Sequence, residues 1–173
     1  MTAIVTDKEI RVKLRPAVAG DAEQLQVMCD DLLASQEVGV PSNLNSMRST
    51  FASLLNNPNC GVWVAVYDET VLGVISGIIT PPLWNAQERV AKLLFWYVKP
   101  RLFNELAPHL LRVFETWASE QQAACIMATT LAGRSSDHML TFFQSHEYET
   151  VEYLMAKKLS PPSKTQNSGP LEN

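Results

Sequence analysis

The sequence predicts one domain of the α/β class, an α+β arrangement in which helices pack on a mixed sheet. Three observations lead to this prediction. Runs of β-branched and aromatic residues recur along the chain and are typical of strands. Stretches with helically spaced apolar residues lie between these runs. No linker or internal repeat divides the body, and 173 residues are enough for one core.

The composition argues against several classes of protein. Apolar residues make up 46% of the chain and charged residues 18%, which argues against a disordered protein. No apolar run approaches the roughly 20 residues that a membrane span needs. The N-terminus lacks the pattern of a targeting peptide, so we expect a cytoplasmic protein. A net charge of −4 without a basic cluster argues against nucleic-acid binding.

The first part of the chain predicts one strand followed by two helices. Residues 9–15 alternate apolar and charged side chains, the pattern of a half-buried strand, and Pro16 ends it. Asp21 is the expected N-cap of a helix over 22–33, whose apolar residues share one face. A second, shorter helix carries the apolar residues of 47–55 and ends at the Asn-Asn-Pro that follows.

The middle of the chain predicts three strands. Residues 61–67 and 71–79 flank the turn-forming segment 68–70 and form an antiparallel hairpin. The run 89–98 is dense in large apolar side chains, which indicates a central strand covered on both faces. Gly73 lies inside the second hairpin strand, as does Gly77, so close packing or a bulge explains them better than a nucleotide loop.

The second half predicts helix, strand, helix and strand. Asn104 is the expected cap of a helix in which Pro108 lies near the first turn. A strand over 123–130 follows, then a short helix capped by Ser135 or Ser136. The final strand is expected from about Tyr148 to Leu159.

These elements give the order β, α, α, β, β, β, α, β, α, β within residues 9–159. Residues 1–8 are expected to be an N-terminal extension, and 160–173 a polar tail. Three cysteines and three histidines have no metal-ligating or catalytic residue at a characteristic distance along the sequence. We therefore predict that the thiols are buried, that the imidazoles lie at the surface or at helix ends, and that none of them binds a metal. They are Cys29, Cys60, Cys125, His109, His138 and His146.

Two segments and the element order resemble one family. WYVKPRLFNELAPHLL at 96–111 resembles the strand, cofactor loop and helix of the GNAT acetyltransferase superfamily, and MLTFFQSHEYE at 139–149 resembles its closing segment. The resemblance covers residues 9–159. The apolar stretch around Pro82, Trp84 and 94–98 is also similar to GNAT-like proteins of tailed bacteriophages.

The resemblance implies acetyl-CoA as the cofactor. In the family, a β-bulge lets two strands splay, the pantetheine arm pairs with the exposed backbone, and the pyrophosphate lies on loop and helix N–H groups. Transferred to this chain, the splay falls near 96–98 and the pyrophosphate loop runs from Arg101 to His109. The implied cofactor-binding residues are Trp96, Tyr97, Val98, Arg101, Asn104, Leu106, Ala107 and His109.

The sequence departs from the family pattern at three chemically important positions. Leu106 and Pro108 replace the two glycines that let phosphate approach the backbone, and Pro108 also lacks an N–H. Glu105 adds a carboxylate beside the expected pyrophosphate. Phe143 stands where a tyrosine commonly protonates the departing thiolate, and it has no proton to give. Acetyl transfer is therefore predicted to be impaired.

No residue is identified outright as catalytic. Glu88, just before the predicted central strand, is a candidate base, with a solvated loop end as the alternative. Tyr148 is a candidate acid if the alignment shifts by one residue, with a core position as the alternative. The aromatic set Trp84, Phe95, Trp96 and Tyr97 is predicted to be core, although the Pro-Pro-Leu-Trp segment at 81–84 equally fits a protein contact patch.

Two functions from different classes follow from the sequence. The first is a GNAT-fold protein with impaired transfer that acts as a structural or interaction component, with a protein partner or a second copy, for example in a bacteriophage particle. The alternative is an active acetyl-CoA-dependent N-acetyltransferase of a small-molecule or protein amine, in which Lys99 and Arg101 neutralise the pyrophosphate. A third interpretation is an acidic regulator that shares only the topology.

Overall fold

The fold was analysed in a computed structural model, which describes residues 2–5, 11–33, 43–130 and 136–152. The described residues form one sheet of six strands in the order β1-β2-β3-β4-β5-β6, with four α-helices. Neighbouring strands are antiparallel except β5 and β6, which are parallel. The mixed sheet with helices that the sequence predicts is therefore confirmed.

The elements follow one another along the chain with short connections. Two short 3-10 turns, Ala19–Asp21 and Pro100–Leu102, precede the first and third helices. The strands and helices are β1 Thr2–Val5, β2 Arg11–Pro16, α1 Ala22–Leu33, α2 Leu44–Leu55, β3 Cys60–Tyr67, β4 Thr70–Thr80, β5 Val90–Val98, α3 Phe103–Glu120, β6 Cys125–Met127 and α4 Ser136–Ser145.

The ends of the chain differ from the prediction. Strand β1 lies inside the predicted N-terminal extension and pairs with β2, from Thr2↔Leu14 to Val5↔Arg11. The predicted strand at 123–130 forms only over the three residues of β6. Residues 148–152 adopt no strand, and the rest of the predicted final strand and the tail lie outside the described residues.

Asp21 has a different role from the predicted N-cap. It lies in the 3-10 turn before α1, and its carboxylate accepts two hydrogen bonds of 2.8 Å from Arg15 and one of 2.8 Å from the Val18 N–H. Burial opposes ionisation, but the Arg15 and Val18 hydrogen bonds outweigh it and lower the pKa of Asp21. The carboxylate thus ties the end of β2 to the start of α1.

Local sequence explains how α2 begins and how the β3–β4 hairpin turns. The Asn43 side chain caps α2 by accepting a hydrogen bond from the Ser46 N–H at 3.0 Å. Within the described residues, α1 and α2 each have 12 residues, and α1 reaches Leu33, the last described residue of its range. Asp68 and Glu69 have φ angles of 45° and 62°, which gives the β3–β4 hairpin the tight turn that the sequence predicts.

Helices cover both faces of the sheet and create two apolar clusters. Helix α3 packs on one face through Leu106, Leu110 and Phe114, whereas α1 and α2 pack on the other. Gly77 makes the α3 contact close: an added Cβ would lie 2.2 Å from Phe114 Cε2 and 2.9 Å from the Lys92 carbonyl oxygen. The close packing predicted for this glycine is therefore confirmed.

Two burial predictions were wrong. Strand β5 is the fifth of the six described strands, and Lys92 and Leu94 are exposed, so it is not covered on both faces as expected of a central strand. Among the cysteines, Cys125 is exposed and Cys29 and Cys60 are half-buried. Burial raises the pKa of the Cys29 and Cys60 thiols.

Within the described ranges, the side chains form no group of three or more His, Cys, Asp or Glu that could hold a metal ion. None of the helices in that part of the chain combines the length and apolar character that crossing a bilayer requires.

Candidate cofactor-binding site

A β-bulge interrupts strand β5 next to the predicted cofactor site. Leu93 pairs with Gly77 and Phe95 pairs with Ser76, which leaves Leu94 as the extra residue. The Leu94 side chain is 48% exposed. The resemblance implied a bulge in this strand, but it placed the splay two residues later along the chain.

Strands β5 and β6 part just before the bulge. Their parallel pairing runs only from Val90↔Cys125 to Lys92↔Met127, whereas β5 continues to Val98. Among the described residues, no strand pairs with that edge of β5 from Leu93 to Val98. An opening between two parallel strands therefore exists, as the resemblance implied.

Four aromatic rings, which we call the aromatic cluster, pack together between β5, α3 and α4. Trp96 of β5 lies 5.4 Å from both Phe142 and Phe143 of α4 and 6.0 Å from Phe103 of α3, measured between ring centroids. Phe103 and Phe142 are 5.3 Å apart. The cluster connects β5, α3 and α4 directly, and Phe143 is only 6% exposed.

Other rings extend the cluster on the α4 side. His138 lies 5.1 Å from Phe103. The Nδ1 atom of His146 lies 2.8 Å from the Phe142 carbonyl oxygen, a helix-end position of the kind expected from the sequence. Tyr148 lies 5.1 Å from Phe143.

The hydroxyl of Tyr148, the candidate acid, is already engaged. It donates a hydrogen bond of 3.2 Å to Glu115 Oε1 on α3. Burial, followed by the Glu115 carboxylate, raises the pKa of Tyr148 far above its usual value of 10.0. The phenol therefore keeps its proton, and its hydrogen bond to Glu115 holds Tyr148 against α3.

The predicted pyrophosphate loop is mostly helix. Only the 3-10 turn Pro100–Leu102 precedes α3, so residues 103–109 are helical rather than a loop. Asn104 is the second residue of α3 and not its cap, and Pro108 lies in the second turn. Leu106, which stands at the first glycine position of the family pattern, and the adjacent Ala107 are fully buried in the core, and this burial stabilises the helix.

The groups at the start of α3 suit an anion poorly. The Leu102 N–H already donates to the Lys99 carbonyl oxygen at 2.8 Å, and the Phe103 N–H donates to Pro100. The Glu105 Oε2 atom is buried and has no hydrogen-bond partner in the described part of the chain. A carboxylate here interacts favourably with the helix dipole but repels a phosphate.

Four of the remaining predicted cofactor residues differ in their surroundings. Tyr97 lies on the α1 side of the sheet, where its hydroxyl donates to Asp31 Oδ2 at 3.2 Å. Val98 is buried, Arg101 is exposed and His109 is half-buried.

Two further residues singled out in the sequence lie in the segment before β5. Glu88 is exposed and stands six residues before Leu94. Trp84, predicted to be core, is 83% exposed, while Phe95, Trp96 and Tyr97 are half-buried.

Sequence reasoning missed the contacts of Phe103 and Phe142. Both residues lie in the two segments that resemble the family, but the family pattern assigns them no role. The signal that could have found them is the density of aromatic residues in both segments, since rings from facing elements pack together when the space between them is not filled otherwise.

Three features define the fold as acetyltransferase-like. They are the bulged strand β5, the parallel strand β6 that separates from it, and the helix α3 that follows β5. The family comparison agrees with this class. A family model described as "Acetyltransferase (GNAT) family" matches residues 26–144, and the chain belongs to this family.

Solved structures with the same fold are distant in sequence. A transcriptional regulator from Bacillus halodurans superposes with a TM-score of 0.68 at 19% identity, covering 86% of this chain and 99% of that one. An aminoglycoside N-acetyltransferase in complex with CoA has a TM-score of 0.70 at 12% identity, with 89% and 98% coverage.

A predicted acetyltransferase with acetyl-CoA from Clostridium acetobutylicum has a TM-score of 0.68 at 14% identity, with 85% and 96% coverage. No curated protein sequence matches the chain significantly. At these identities the structural likeness establishes the fold, and the activity has to be argued from the site.

Proposed function

We propose that this chain is a GNAT-fold protein that has lost efficient acetyl transfer and acts as a structural or interaction component. The observation that carries the proposal is the aromatic cluster. Its rings pack on Trp96, which lies in the part of β5 to which the resemblance assigns the cofactor arm. Entry of a pantetheine arm beside Trp96 would require these rings to separate and lose their packing.

The start of α3 supports the same conclusion. Tight pyrophosphate binding needs several free N–H groups that phosphate can approach closely. Here Leu106 is packed into the core, Pro108 has no N–H, and the Glu105 carboxylate lies in the first turn. Each feature weakens anion binding, and all three occur within four residues.

The absence of an evident proton donor is the third line of support. Phe143 has no ionisable group, and it is buried against Trp96 and Tyr148. Tyr148 donates a hydrogen bond to Glu115 and has a strongly raised pKa. Proton transfer to a leaving thiolate by either side chain is therefore unfavourable.

An active acetyl-CoA-dependent N-acetyltransferase, acting on a small-molecule or protein amine, is the second candidate. The bulge at Leu94 favours it, since the open edge of β5 is retained. The buried Trp96 Nε1–H also favours it, because this donor has no partner among the described residues and could bind a cofactor carbonyl. Lys99 and Arg101 are exposed before α3 and would neutralise the pyrophosphate, with Glu88 as the base.

Thermal unfolding with and without acetyl-CoA separates the two candidates. A ligand that binds only the folded state raises the midpoint by mass action. We expect no shift at about 1 mM acetyl-CoA, a concentration that reveals even dissociation constants near 1 mM. A saturable upward shift would contradict the proposal. In that case Trp96→Phe, which keeps a ring but removes the N–H, should reduce the shift, while Trp84→Phe should leave it unchanged.

The proposal extends to the setting of the protein. The resemblance implied by the stretch around Pro82, Trp84 and 94–98 is the reason for proposing a component of a bacteriophage particle or phage–host complex, located in the virion or the host cytoplasm. Mass spectrometry of purified particles tests this. Detection of the chain at a fixed copy number per particle is expected, and its absence from purified particles and from the complexes they form with the host would contradict this part of the proposal.

A further inference from the structure

Helix α4 contacts the rest of the chain through a narrow face. Among residues 137–145, only Phe143 is buried, Met139 and Phe142 are half-buried, and the other side chains are exposed. By contrast, α3 buries seven side chains. Elements with few buried apolar contacts open locally at a lower free-energy cost than the core does. We therefore expect α4 to leave its place more readily than α3.

The end of α4 is a Schellman motif. The Tyr148 N–H donates to the Phe143 carbonyl oxygen at 3.1 Å, and the Glu147 N–H donates to that of Gln144 at 3.1 Å. The motif places the Tyr148 ring 5.1 Å from Phe143 and its hydroxyl 3.2 Å from Glu115 Oε1 on α3. Glu147 has a φ angle of 66°, a left-handed conformation that glycine adopts freely at this position and other residues adopt at a cost. The docked end of α4 thus combines a stabilising hydrogen bond with backbone strain.

The docked helix also packs against a side chain that has a buried polar atom without a partner. The rings of Phe142 and Phe143 each lie 5.4 Å from Trp96 on β5, measured between centroids. The Trp96 Nε1–H is buried and has no hydrogen-bond partner among the described residues. A donor in this position lacks the hydrogen bonds that it makes in water. The docked state therefore carries a penalty at Trp96.

We propose that α4 is a lid over Trp96, which opens as a unit while the rest of the chain stays folded. Packing of Phe142 and Phe143 and the Tyr148 hydrogen bond hold the lid closed, whereas the strain at Glu147 and the unpartnered indole N–H favour opening. Opposing contributions of similar size keep a minor open state populated. In that state the Trp96 N–H is free to bind a ligand carbonyl. The lid does not depend on whether the chain transfers acetyl groups.

Hydrogen exchange of the full chain, followed by NMR, tests the proposal. In the wild type, the α4 amides and the Trp96 indole N–H should exchange through one opening, about 10-fold or more faster than the Phe114 amide in the middle of α3. Asp21→Asn is the control for global unfolding, because the described contacts of this carboxylate are with Arg15 and Val18. It should speed exchange of the Phe114 amide and leave that of α4 and Trp96 unchanged.

Two variants should move the lid in opposite directions. Tyr148→Phe removes the hydrogen bond to Glu115 and should speed exchange of α4 and Trp96 about fivefold. Glu147→Gly relieves the left-handed strain and should slow exchange of both about fivefold. Glu149→Gly is the matched control, since this exposed residue has no positive φ angle and glycine there should not slow exchange.

Three results would each overturn the proposal. The first is exchange of α4 and the Trp96 indole at the rate of the Phe114 amide. The second is an equal acceleration of all three by Asp21→Asn, which would mean that α4 opens only when the whole chain unfolds. The third is a Trp96 indole whose exchange does not follow that of α4 in Tyr148→Phe and Glu147→Gly.

Discussion

Trp96 of β5 and Phe143 of α4 lie edge to face, with ring centroids 5.4 Å apart and planes inclined by 62°. This contact joins the bulged strand to the last described helix, and Phe103 and Phe142 complete it from α3 and α4. Phe143, which the resemblance aligns with the family's proton donor, thus packs in the core.

Replacing Phe143 with alanine should destabilise the fold strongly. Its ring is 6% exposed, and removing a buried phenylalanine costs about 3–5 kcal/mol. Urea unfolding followed by circular dichroism measures the change. Leu140→Ala on the same helix is the matched control, since an exposed side chain should change the free energy of unfolding by about 0.5 kcal/mol or less. Equal effects for the two variants would contradict the packing role.

Replacing Phe143 with tyrosine should not create acetyltransferase activity. The new hydroxyl would lie in the apolar cluster beside Trp96 and Tyr148, where an unpartnered polar group costs about 1–3 kcal/mol. A thiol-release assay with acetyl-CoA and a panel of amines provides the measurement. A rise in turnover for Phe143→Tyr over the wild type would instead favour the active enzyme.

A methyl group at Gly77 should be poorly tolerated. An alanine Cβ would lie 2.2 Å from Phe114 Cε2 and 2.9 Å from the Lys92 carbonyl oxygen, so helix or strand must move. Overpacking of this kind costs about 1–3 kcal/mol. Gly20→Ala is the control, because nothing lies within 4 Å of its added Cβ. Chemical unfolding of both variants should show the loss only for Gly77→Ala.

The Asp21 carboxylate should stabilise the fold at neutral pH and lose this effect in acid. Its pKa lies below the usual 3.8 in the folded chain, so the unfolded chain binds more protons between the two values. Asp21→Asn should cost about 1.5–3 kcal/mol near pH 7 through the lost hydrogen bonds to Arg15 and Val18. The difference from the wild type should shrink as pH falls below about 4. A difference that stays constant from pH 7 to pH 3 would argue against the ion pair.

The hydrophobic periodicity was enough to predict most of the strands and helices, because each buries one face. The periodicity did not predict the ends of these elements or the junctions between them correctly. Asp21 looked like a helix cap, but Arg15 and Val18 compete for its carboxylate. Strand β1 pairs with β2 through backbone groups. This pairing does not depend on the side chains, so a four-residue segment gives only a weak sequence signal for a strand.

The candidate site was predicted in part. The resemblance implied a bulge in β5, and a bulge is present at Leu94; the absence of the glycines was readable directly from the sequence. The start of α3 at Phe103 could not be read from the sequence, because the burial of Leu106 and Ala107 against the sheet depends on tertiary contacts. The density of aromatic residues is a local signal for the cluster, but which rings meet, and whether Trp84 is exposed, depends on which surfaces face each other in the folded chain.

Titration calorimetry of acetyl-CoA into the wild-type chain tests the central claim most directly. The packed rings beside Trp96 and the carboxylate of Glu105 predict no measurable heat of binding at up to about 1 mM cofactor. A saturable one-to-one isotherm with a dissociation constant in the micromolar range, weakened by Trp96→Phe, would contradict the account and identify the chain as a cofactor-binding acetyltransferase.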